Sequence, residues 1–144
     1  MNATSAPVIG ICGGGNLAHA MAGWLGARGL RVNILTRKPE QWDKTISASF
    51  PDGTALRAPL GRISNHPEIL EECSLVLVAV PRFGIREICL RIKPFLRRDQ
   101  GLAIVPGTPD VMDMAEDASW TSSVSLMGIC LLYTSPSPRD RSVS

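Results

Sequence analysis

The sequence predicts an α/β fold built on a doubly wound, mainly parallel sheet with an inserted β-hairpin. Short apolar runs alternate along the chain with segments whose apolar residues recur at helical spacing. A glycine-rich turn directly follows the first apolar run, as it does where parallel sheets bind phosphate groups. An alternation of polar and apolar residues around Pro51-Asp52-Gly53 interrupts this order once and predicts the hairpin.

The composition limits the classes of protein to which this chain can belong. Its 144 residues, of which 44% are hydrophobic and 19% charged, suffice for one domain with a buried core. The formal net charge of +2 predicts no nucleic-acid partner, and the short apolar runs predict no membrane span. No basic segment of the signal-peptide kind precedes residue 8, and the cysteines and histidines lack metal-ligand spacing. We therefore predict a cytoplasmic protein with reduced cysteines and no metal site.

The first part of the chain predicts a strand, a helix and a second strand. Residues 8–12 are apolar and partly β-branched, which is typical of a buried strand. Residues 16–28 predict a helix, Gly29 is suited to its C-terminal cap, and residues 31–36 predict the second strand. The helix carries apolar residues on one face and small residues that allow close approach to a sheet; these are Leu17, Met21, Trp24 and Leu25, and Ala18, Ala22, Gly23 and Gly26.

The remaining elements continue this alternation. Pro39 begins a short predicted helix that ends at Trp42. Residues 46–64 predict the hairpin, and Pro94 is expected to end or kink the last helix. The other predicted elements are a short helix at residues 67–72, a strand at 75–80, a helix at 85–96 and a strand at 102–105.

The glycine-rich turn fits the pattern G-x-G-x-x-A between a strand and a helix. In such a turn the first glycine allows the sharp bend, the second lets the backbone approach a pyrophosphate, and the small third residue lets helix and strand pack closely. The N-terminus of the helix then offers free N–H groups to the phosphates. The turn predicts a Rossmann-type dinucleotide site, with a merely glycine-rich turn as the alternative; its residues are Gly13, Gly14, Gly15, Asn16, Leu17 and Ala18.

The end of the second predicted strand indicates which dinucleotide binds. NAD sites usually carry an acidic residue there, which holds the ribose 2′-hydroxyl. This chain has Thr36, Arg37 and Lys38 instead, and the nearest acid is Glu40. A guanidinium pairs with a 2′-phosphate through two hydrogen bonds, and an ammonium adds a point charge. The sequence therefore favours NADP over NAD, although NAD remains possible.

A second group of residues follows the strand predicted at residues 75–80. Because ligands bind at the carboxyl ends of parallel strands, Val80, Pro81 and Phe83 are candidates for contact with the nicotinamide-side ribose. The alternative is an ordinary turn with an aromatic side chain packed against the domain. His19, just inside the phosphate-binding helix, is interpreted as a helix-packing or surface residue.

Three separated segments resemble the N-terminal domain of the octopine/opine dehydrogenase family: residues 12–19, 35–42 and 78–81. The resemblance runs from about Val8 to Asp117. It implies a Rossmann domain followed by a helical substrate domain, and hydride transfer from NAD(P)H to an imine formed from an amino acid and a 2-oxo acid. The family's catalytic histidine and aspartate lie in the second domain. No catalytic residue is therefore assigned here, and this chain alone is expected to be inactive, its small-molecule substrate binding through a missing C-terminal domain.

Two related families and one different class of protein remain as alternatives. Ketopantoate reductase and NAD-dependent glycerol-3-phosphate dehydrogenase share the general layout, and Thr36 and Arg37 are similar to the NADP-recognising position of the former. A dinucleotide-binding module without catalytic activity would also carry the glycine-rich turn. The sequence that follows Ile129 would distinguish these possibilities.

The last part of the chain differs in character from the rest. Residues 1–120 are predicted to form the dinucleotide-binding domain, and residues 121–144 a tail. From about residue 130 the sequence resembles the translation of a transposon-based sequencing adapter, so we expect natural sequence to stop near Ile129, before the second domain. A Ser/Pro-rich linker is the alternative interpretation.

Overall fold

The computed structural model describes residues 7–105 and 125–128. Two α-helices and eight β-strands form the described part of the domain, together with short 3-10 turns. The helices are α1 (Asn16–Gly26) and α2 (Arg82–Ile92). The strands are β1 (Val8–Cys12), β2 (Arg31–Leu35), β3 (Thr45–Ser49), β4 (Ala55–Pro59), β5 (Ile63–Ser64), β6 (Leu75–Val78), β7 (Gly101–Ile104) and β8 (Ser125–Gly128).

Six of these strands form one parallel sheet. Their spatial order is β5-β2-β1-β6-β7-β8, and every neighbouring pair runs parallel. The chain builds outwards from β1 to β5 and then returns to the other side of β1 with β6. This order is that of Rossmann folds, in which ligands bind where the order reverses. The predicted fold class is confirmed, and the reversal lies between β1 and β6.

The sheet is covered on both faces, as a buried parallel sheet requires. Alternate residues of β1 point to opposite sides: Ile9 and Ile11 join the cluster beneath α1, whereas Cys12 joins the cluster beneath α2. The α2 cluster also contains Ile85 and Ile92 from the helix itself. The continuous apolar runs of the sequence therefore supply two cores rather than one.

The inserted hairpin packs against the small residues of α1. Strands β3 and β4 pair antiparallel and form a separate two-stranded sheet. A Cβ atom built on Gly23 would lie 3.2 Å from the Cβ of Ala48, and one on Gly26 would lie 3.1 Å from the Cβ of Ala58. The small residues allow the predicted close approach, but at these two positions the neighbour is the hairpin. Trp24, predicted on the apolar face, is instead 50% exposed.

The hairpin is shorter than predicted. Residues 46–64 were expected to contain it entirely, yet β5 pairs in parallel with β2, placing Ile63 beside Ile34. The backbone N–H of Gly61 donates to the carbonyl of Val32 at 2.7 Å, and that of Ile34 donates to the carbonyl of Arg62 at 2.7 Å. These bonds redirect the chain from the hairpin to the edge of the main sheet.

The helices start and end close to their predicted positions. Helix α1 stops two residues before the expected end, and Gly29 adopts a left-handed conformation with φ of 85°, as a terminating glycine should. Helix α2 begins three residues early and gives way at Lys93 to a 3-10 turn that contains Pro94. The segments predicted as short helices form the 3-10 turns Pro39–Gln41 and Pro67–Leu70. Within the described ranges no helix is long and apolar enough to cross a membrane.

Strand β8 extends the sheet into the segment that the sequence assigned to a tail. It pairs with β7, with Gly101 beside Ser125 and Ile104 beside Gly128. The sequence pattern did not predict this strand, because serine and threonine residues precede a run of only two large apolar residues. The adapter-like peptide from residue 130 onwards lies outside the described residues, so the domain boundary and the nature of the tail stay predictions.

A buried amide ties β2 to the connection that leads into β6. Asn33 is fully buried, and its Nδ2 donates to the carbonyl of Ile69 at 3.1 Å and to Oε2 of Glu72 at 2.6 Å. Its Oδ1 accepts a hydrogen bond from the backbone N–H of Arg62 at 2.8 Å. Both ends of the amide are therefore satisfied, as burial of a polar group requires.

We predict that Asn33→Ala lowers the free energy of unfolding by about 2–4 kcal/mol, because buried partners lose their hydrogen bonds. Urea unfolding followed by circular dichroism measures the change. Gln41→Ala removes an exposed amide and serves as the matched control, with an expected change of less than about 0.5 kcal/mol. Equal effects of the two substitutions would contradict a structural role for Asn33.

Candidate functional site

The first glycine of the turn lies where three strands converge. The backbone N–H of Gly13 donates to the carbonyl of Leu35 at 3.0 Å, and the N–H of Ala79 donates to the carbonyl of Cys12 at 2.9 Å. Gly13 has a φ of 145°, and a Cβ atom built on it would overlap the carbonyl oxygen of Ala79. Both the conformation and the crowding therefore require glycine at this position.

The next two glycines face different surroundings. A Cβ on Gly14 would lie 2.8 Å from Oγ1 of Thr36, so this position is packed against the end of β2. A Cβ on Gly15 would meet no described atom within 4 Å. Gly15 has a φ of −92°, which any residue can adopt. Its lack of a side chain therefore leaves open space in front of the backbone, which is what a closely approaching phosphate needs.

Helix α1 begins directly after Gly15 and points its N-terminus towards this space. Among the described residues no side chain caps the helix start, and no acidic residue occupies the first turn. The N–H groups of that turn and the positive end of the helix dipole are therefore available to an anion. Asn16 is exposed and Leu17 half-buried, whereas Ala18 is fully buried and would lie 3.5 Å from a Gly13 Cβ. The small third residue of the motif thus sits at the helix–strand contact.

An open cavity of about 740 Å³ lies at the carboxyl ends of β1, β2 and β6. This is the point at which the strand order reverses. Gly15, Asn16, Leu17 and Ala18 do not line its wall. The residues singled out from the sequence that do line it are Gly13, Gly14, Thr36, Arg37, Lys38, Val80, Pro81 and Phe83.

Phe83 lies on the rim of the cavity and is 91% exposed. The alternative interpretation, an aromatic side chain packed against the domain, is therefore wrong for the described part of the chain. A phenyl ring so exposed offers apolar surface to whatever enters the cavity or covers it.

One wall of the cavity comes from α2 and was missed by the sequence analysis. Residues from this helix that line the cavity recur at helical spacing, and the loop after β5 adds one more; they are Gly84, Glu87, Ile88 and Arg91, and Asn65. That spacing, directly after Pro81, was the available signal. This wall carries the charges of Glu87 and Arg91. Oε1 of Glu87 lies 3.3 Å from Nη2 of Arg37 and forms an ion pair with it.

His19 packs beside the glycine-rich turn, as the sequence interpretation expected. Its Nδ1 donates to the carbonyl of Gly15 at 2.9 Å, one helical turn earlier. Its ring stacks on Trp42, with centroids 3.7 Å apart and planes at 13°. The imidazole is thereby held against the start of the helix.

The buried cysteines offer no nucleophile to the site. Cys12, Cys73 and Cys89 are free thiols, and burial raises the pKa of Cys73 to about 12 and that of Cys89 to about 11. Burial raises the pKa of Cys12 as well. These thiols therefore stay protonated at neutral pH. Among residues 7–105 and 125–128, no group of three His, Cys, Asp or Glu side chains is placed to hold a metal ion.

We predict that Gly15→Val abolishes dinucleotide binding without destabilising the domain, because the new side chain enters the open space in front of α1. Titration with NADPH, followed by its fluorescence, measures affinity, and thermal unfolding measures stability. Gly15→Ala should weaken binding less, since it adds only one carbon. Unchanged affinity in the valine variant would exclude this space as the phosphate site.

Comparison with known sequences finds similarity to the N-terminal parts of dehydrogenases. A family model described as NAD-dependent glycerol-3-phosphate dehydrogenase N-terminus matches residues 8–107. Glycerol-3-phosphate dehydrogenase [NAD(P)+] from Clostridium acetobutylicum is 31% identical over 61% of this chain and 28% of its own length. Tauropine dehydrogenase from Arabella iricolor is 25% identical over 85% of this chain and 36% of its own length. The matches thus span about a third of each relative.

Solved structures confirm the fold. Octopine dehydrogenase, in a complex with NADH and L-arginine, superposes with a TM-score of 0.68 at 23% identity, over 85% of this chain and 34% of that one. A PanE/ApbA family ketopantoate reductase from Ralstonia eutropha gives a TM-score of 0.64 at 17% identity, over 83% of this chain and 39% of that one. Octopine dehydrogenase and ketopantoate reductase, which the sequence motifs also indicated, thus share this architecture. Because the family model matches residues 8–107, which is more than half of the chain, the chain belongs to the NAD-dependent glycerol-3-phosphate dehydrogenase N-terminus family.

Proposed function

We propose that this chain is the dinucleotide-binding N-terminal part of an NAD(P)-dependent dehydrogenase and that it prefers NADP(H). One observation carries the proposal: the open backbone at Gly15, the uncapped start of α1 and the basic end of β2 are close together where the strand order reverses. Phosphate-binding amides and a nucleoside-binding cavity are the two parts that a dinucleotide site requires.

Each part of the cofactor has residues suited to it. The pyrophosphate would lie against the glycine-rich turn and the first turn of α1, where Gly15 leaves the backbone accessible. The adenosine end would lie beside Thr36, Arg37 and Lys38. The nicotinamide-side ribose would contact the segment that holds Val80, Pro81 and Phe83. The bound nicotinamide would supply the hydride.

The preference for NADP(H) rests on charge at the end of β2. Arg37 and Lys38 are exposed and line the cavity, whereas the Thr36 hydroxyl oxygen accepts a hydrogen bond from the backbone N–H of Lys38 at 3.3 Å. Both cationic groups therefore face the cavity in which a 2′-phosphate would lie, and the Thr36 hydroxyl holds the turn that carries them. The relatives do not distinguish the two cofactors, since one structure contains NADH and one enzyme is named for NAD(P)+. The preference therefore depends on this chain's own residues.

We predict that Arg37→Gln weakens NADPH binding about ten- to hundredfold and leaves NADH binding nearly unchanged, because a charge-assisted hydrogen bond to the 2′-phosphate is lost. Titration of the full chain with both dinucleotides in one buffer measures the two affinities. Arg57→Gln is the matched control, since Arg57 is exposed on the hairpin and donates to Thr45. Wild-type protein that binds NADH as tightly as NADPH would contradict the preference.

For the complete enzyme we propose reduction of an imine formed from an amino acid and a 2-oxo acid. Support comes from the opine-type motifs and from the similarity to tauropine dehydrogenase, which extends over 85% of this chain. A second candidate is reduction of a carbonyl group of the glycerol-3-phosphate dehydrogenase type, which the family model over residues 8–107 favours. Ketopantoate reductase-type chemistry and a non-catalytic module are further alternatives.

The described part of the cavity holds no pair of groups suited to acid–base catalysis. Its charged side chains are Arg37, Lys38, Glu87 and Arg91, and the Glu87 carboxylate faces Arg37. Guanidinium and ammonium groups carry hydrogen-bond donors but no acceptor atom. Proton transfer and substrate positioning would therefore depend on further residues.

We predict that the full 144-residue chain binds NADPH but does not oxidise it with a 2-oxo acid and amino acid mixture or with dihydroxyacetone phosphate. Loss of positioning alone removes about 7–11 kcal/mol of barrier lowering, so turnover should not exceed that of a protein-free control. Absorbance at the reduced-nicotinamide band follows the reaction. Turnover that Gly15→Val abolishes would place the chemistry within this chain; the complete gene product, assayed alike, distinguishes imine from carbonyl reduction.

A further inference from the structure

The ion pair between Arg37 and Glu87 crosses the mouth of the cavity. Arg37 follows β2, Glu87 lies in the middle of α2, and Nη2 of the first is 3.3 Å from Oε1 of the second. Both side chains are largely exposed, at 79% and 73%. Ion pairs this exposed contribute little to folding stability, because water screens the charges and two long side chains must be ordered. The pair is therefore easily opened by a competing ligand.

The sequence alone would pair Glu87 with another cation. Arg91 lies four residues further along α2, the spacing at which Glu and Arg attract each other on a helix. Arg91 instead donates from Nη2 to the backbone carbonyl of Asn65 and, at 3.1 Å, to its Oδ1. With Arg91 engaged by the loop after β5, the carboxylate of Glu87 faces Arg37.

We propose that Glu87 is a specificity-determining residue that competes with the 2′-phosphate of the cofactor for the guanidinium of Arg37. The inference rests on the proposed function and adds a residue from α2 to it. Glu87 accepts from Nη2 of Arg37, and the N–H group that it engages cannot donate to a phosphate at the same time. A 2′-phosphate that binds Nη2 of Arg37 must therefore displace Glu87, whereas the uncharged 2′-hydroxyl of NADH does not need this guanidinium.

Lys38 provides the opposing influence. Among the described residues no carboxylate forms an ion pair with Lys38, which is exposed and lines the same cavity. Its positive charge attracts a 2′-phosphate without first giving up a partner. The cofactor preference is thus a balance in which Lys38 favours NADPH, Arg37 favours it once released, and Glu87 opposes it.

The test compares the affinities of the full chain for NADPH and NADH in the wild type and in Glu87→Gln. We expect the variant to bind NADPH about three- to tenfold more tightly, while the NADH affinity changes less than about twofold. Glu71→Gln is the matched control: it removes the same charge from an exposed residue that precedes β6, at the opposite edge of the sheet. It should change neither affinity.

A double-mutant cycle separates competition for Arg37 from a general field effect. In an Arg37→Gln background, adding Glu87→Gln should tighten NADPH binding less than about twofold, because the guanidinium for which Glu87 competes is gone. A gain that persists in full in this background would overturn the inference.

The remaining outcomes also decide. Equal tightening of NADPH and NADH by Glu87→Gln, or no change in either, would overturn the specificity role while leaving dinucleotide binding intact. Wild-type protein that binds neither dinucleotide would instead overturn the proposed function itself, and the inference with it. The two failures are therefore distinguishable in one set of titrations.

Discussion

The convergence of three strand ends around Gly13 is the constraint on which the rest of the site depends. Hydrogen bonds from Gly13 to β2 and from Ala79 to the end of β1 bring the backbones so close that no side chain fits. The chain therefore leaves β1 through a turn of fixed geometry, and that turn sets where α1 begins. The open space at Gly15, the helix N-terminus and the strand order reversal coincide because of this one crowded point.

Buried amides hold the sheet together at positions away from that point. Asn33 secures the connection into β6, and Gln100 does the same beside β7, donating to the carbonyls of Leu70 and Cys73 at 2.8 and 2.7 Å. Its Oε1 accepts a hydrogen bond from the N–H of Arg97 at 2.6 Å. In contrast, the charged side chains at the carboxyl edge, which include Arg37, Lys38 and Glu87, are exposed. The domain thus separates stabilising contacts from the groups available for recognition.

Local patterns predicted most of the sheet and about half of the residues that line the cavity. Apolar runs marked β1, β2, β6 and β7, and the glycine spacing marked the turn, because these features depend on neighbouring residues only. Strand β5 has only two residues, and its position beside β2 depends on hydrogen bonds between residues 61–62 and residues 32–33, which are far apart in the sequence. Strand β8 likewise exists through its pairing with β7. The charged wall of α2 was missed for the same reason: the approach of Glu87 to Arg37 is a tertiary contact between residues fifty positions apart.

The packing of the hairpin on Gly23 and Gly26 has a consequence for the opposite end of α1. A helix of eleven residues is about 16 Å long and moves as a rigid body, so displacement of its C-terminal end also tilts its N-terminal end. A side chain at either glycine would come too close to the Cβ atom of Ala48 or Ala58 and would displace helix α1. The packing of the hairpin on α1 therefore fixes the orientation of the whole helix, including the amides of its first turn. Residues far from the cavity thus determine the direction in which these amides point.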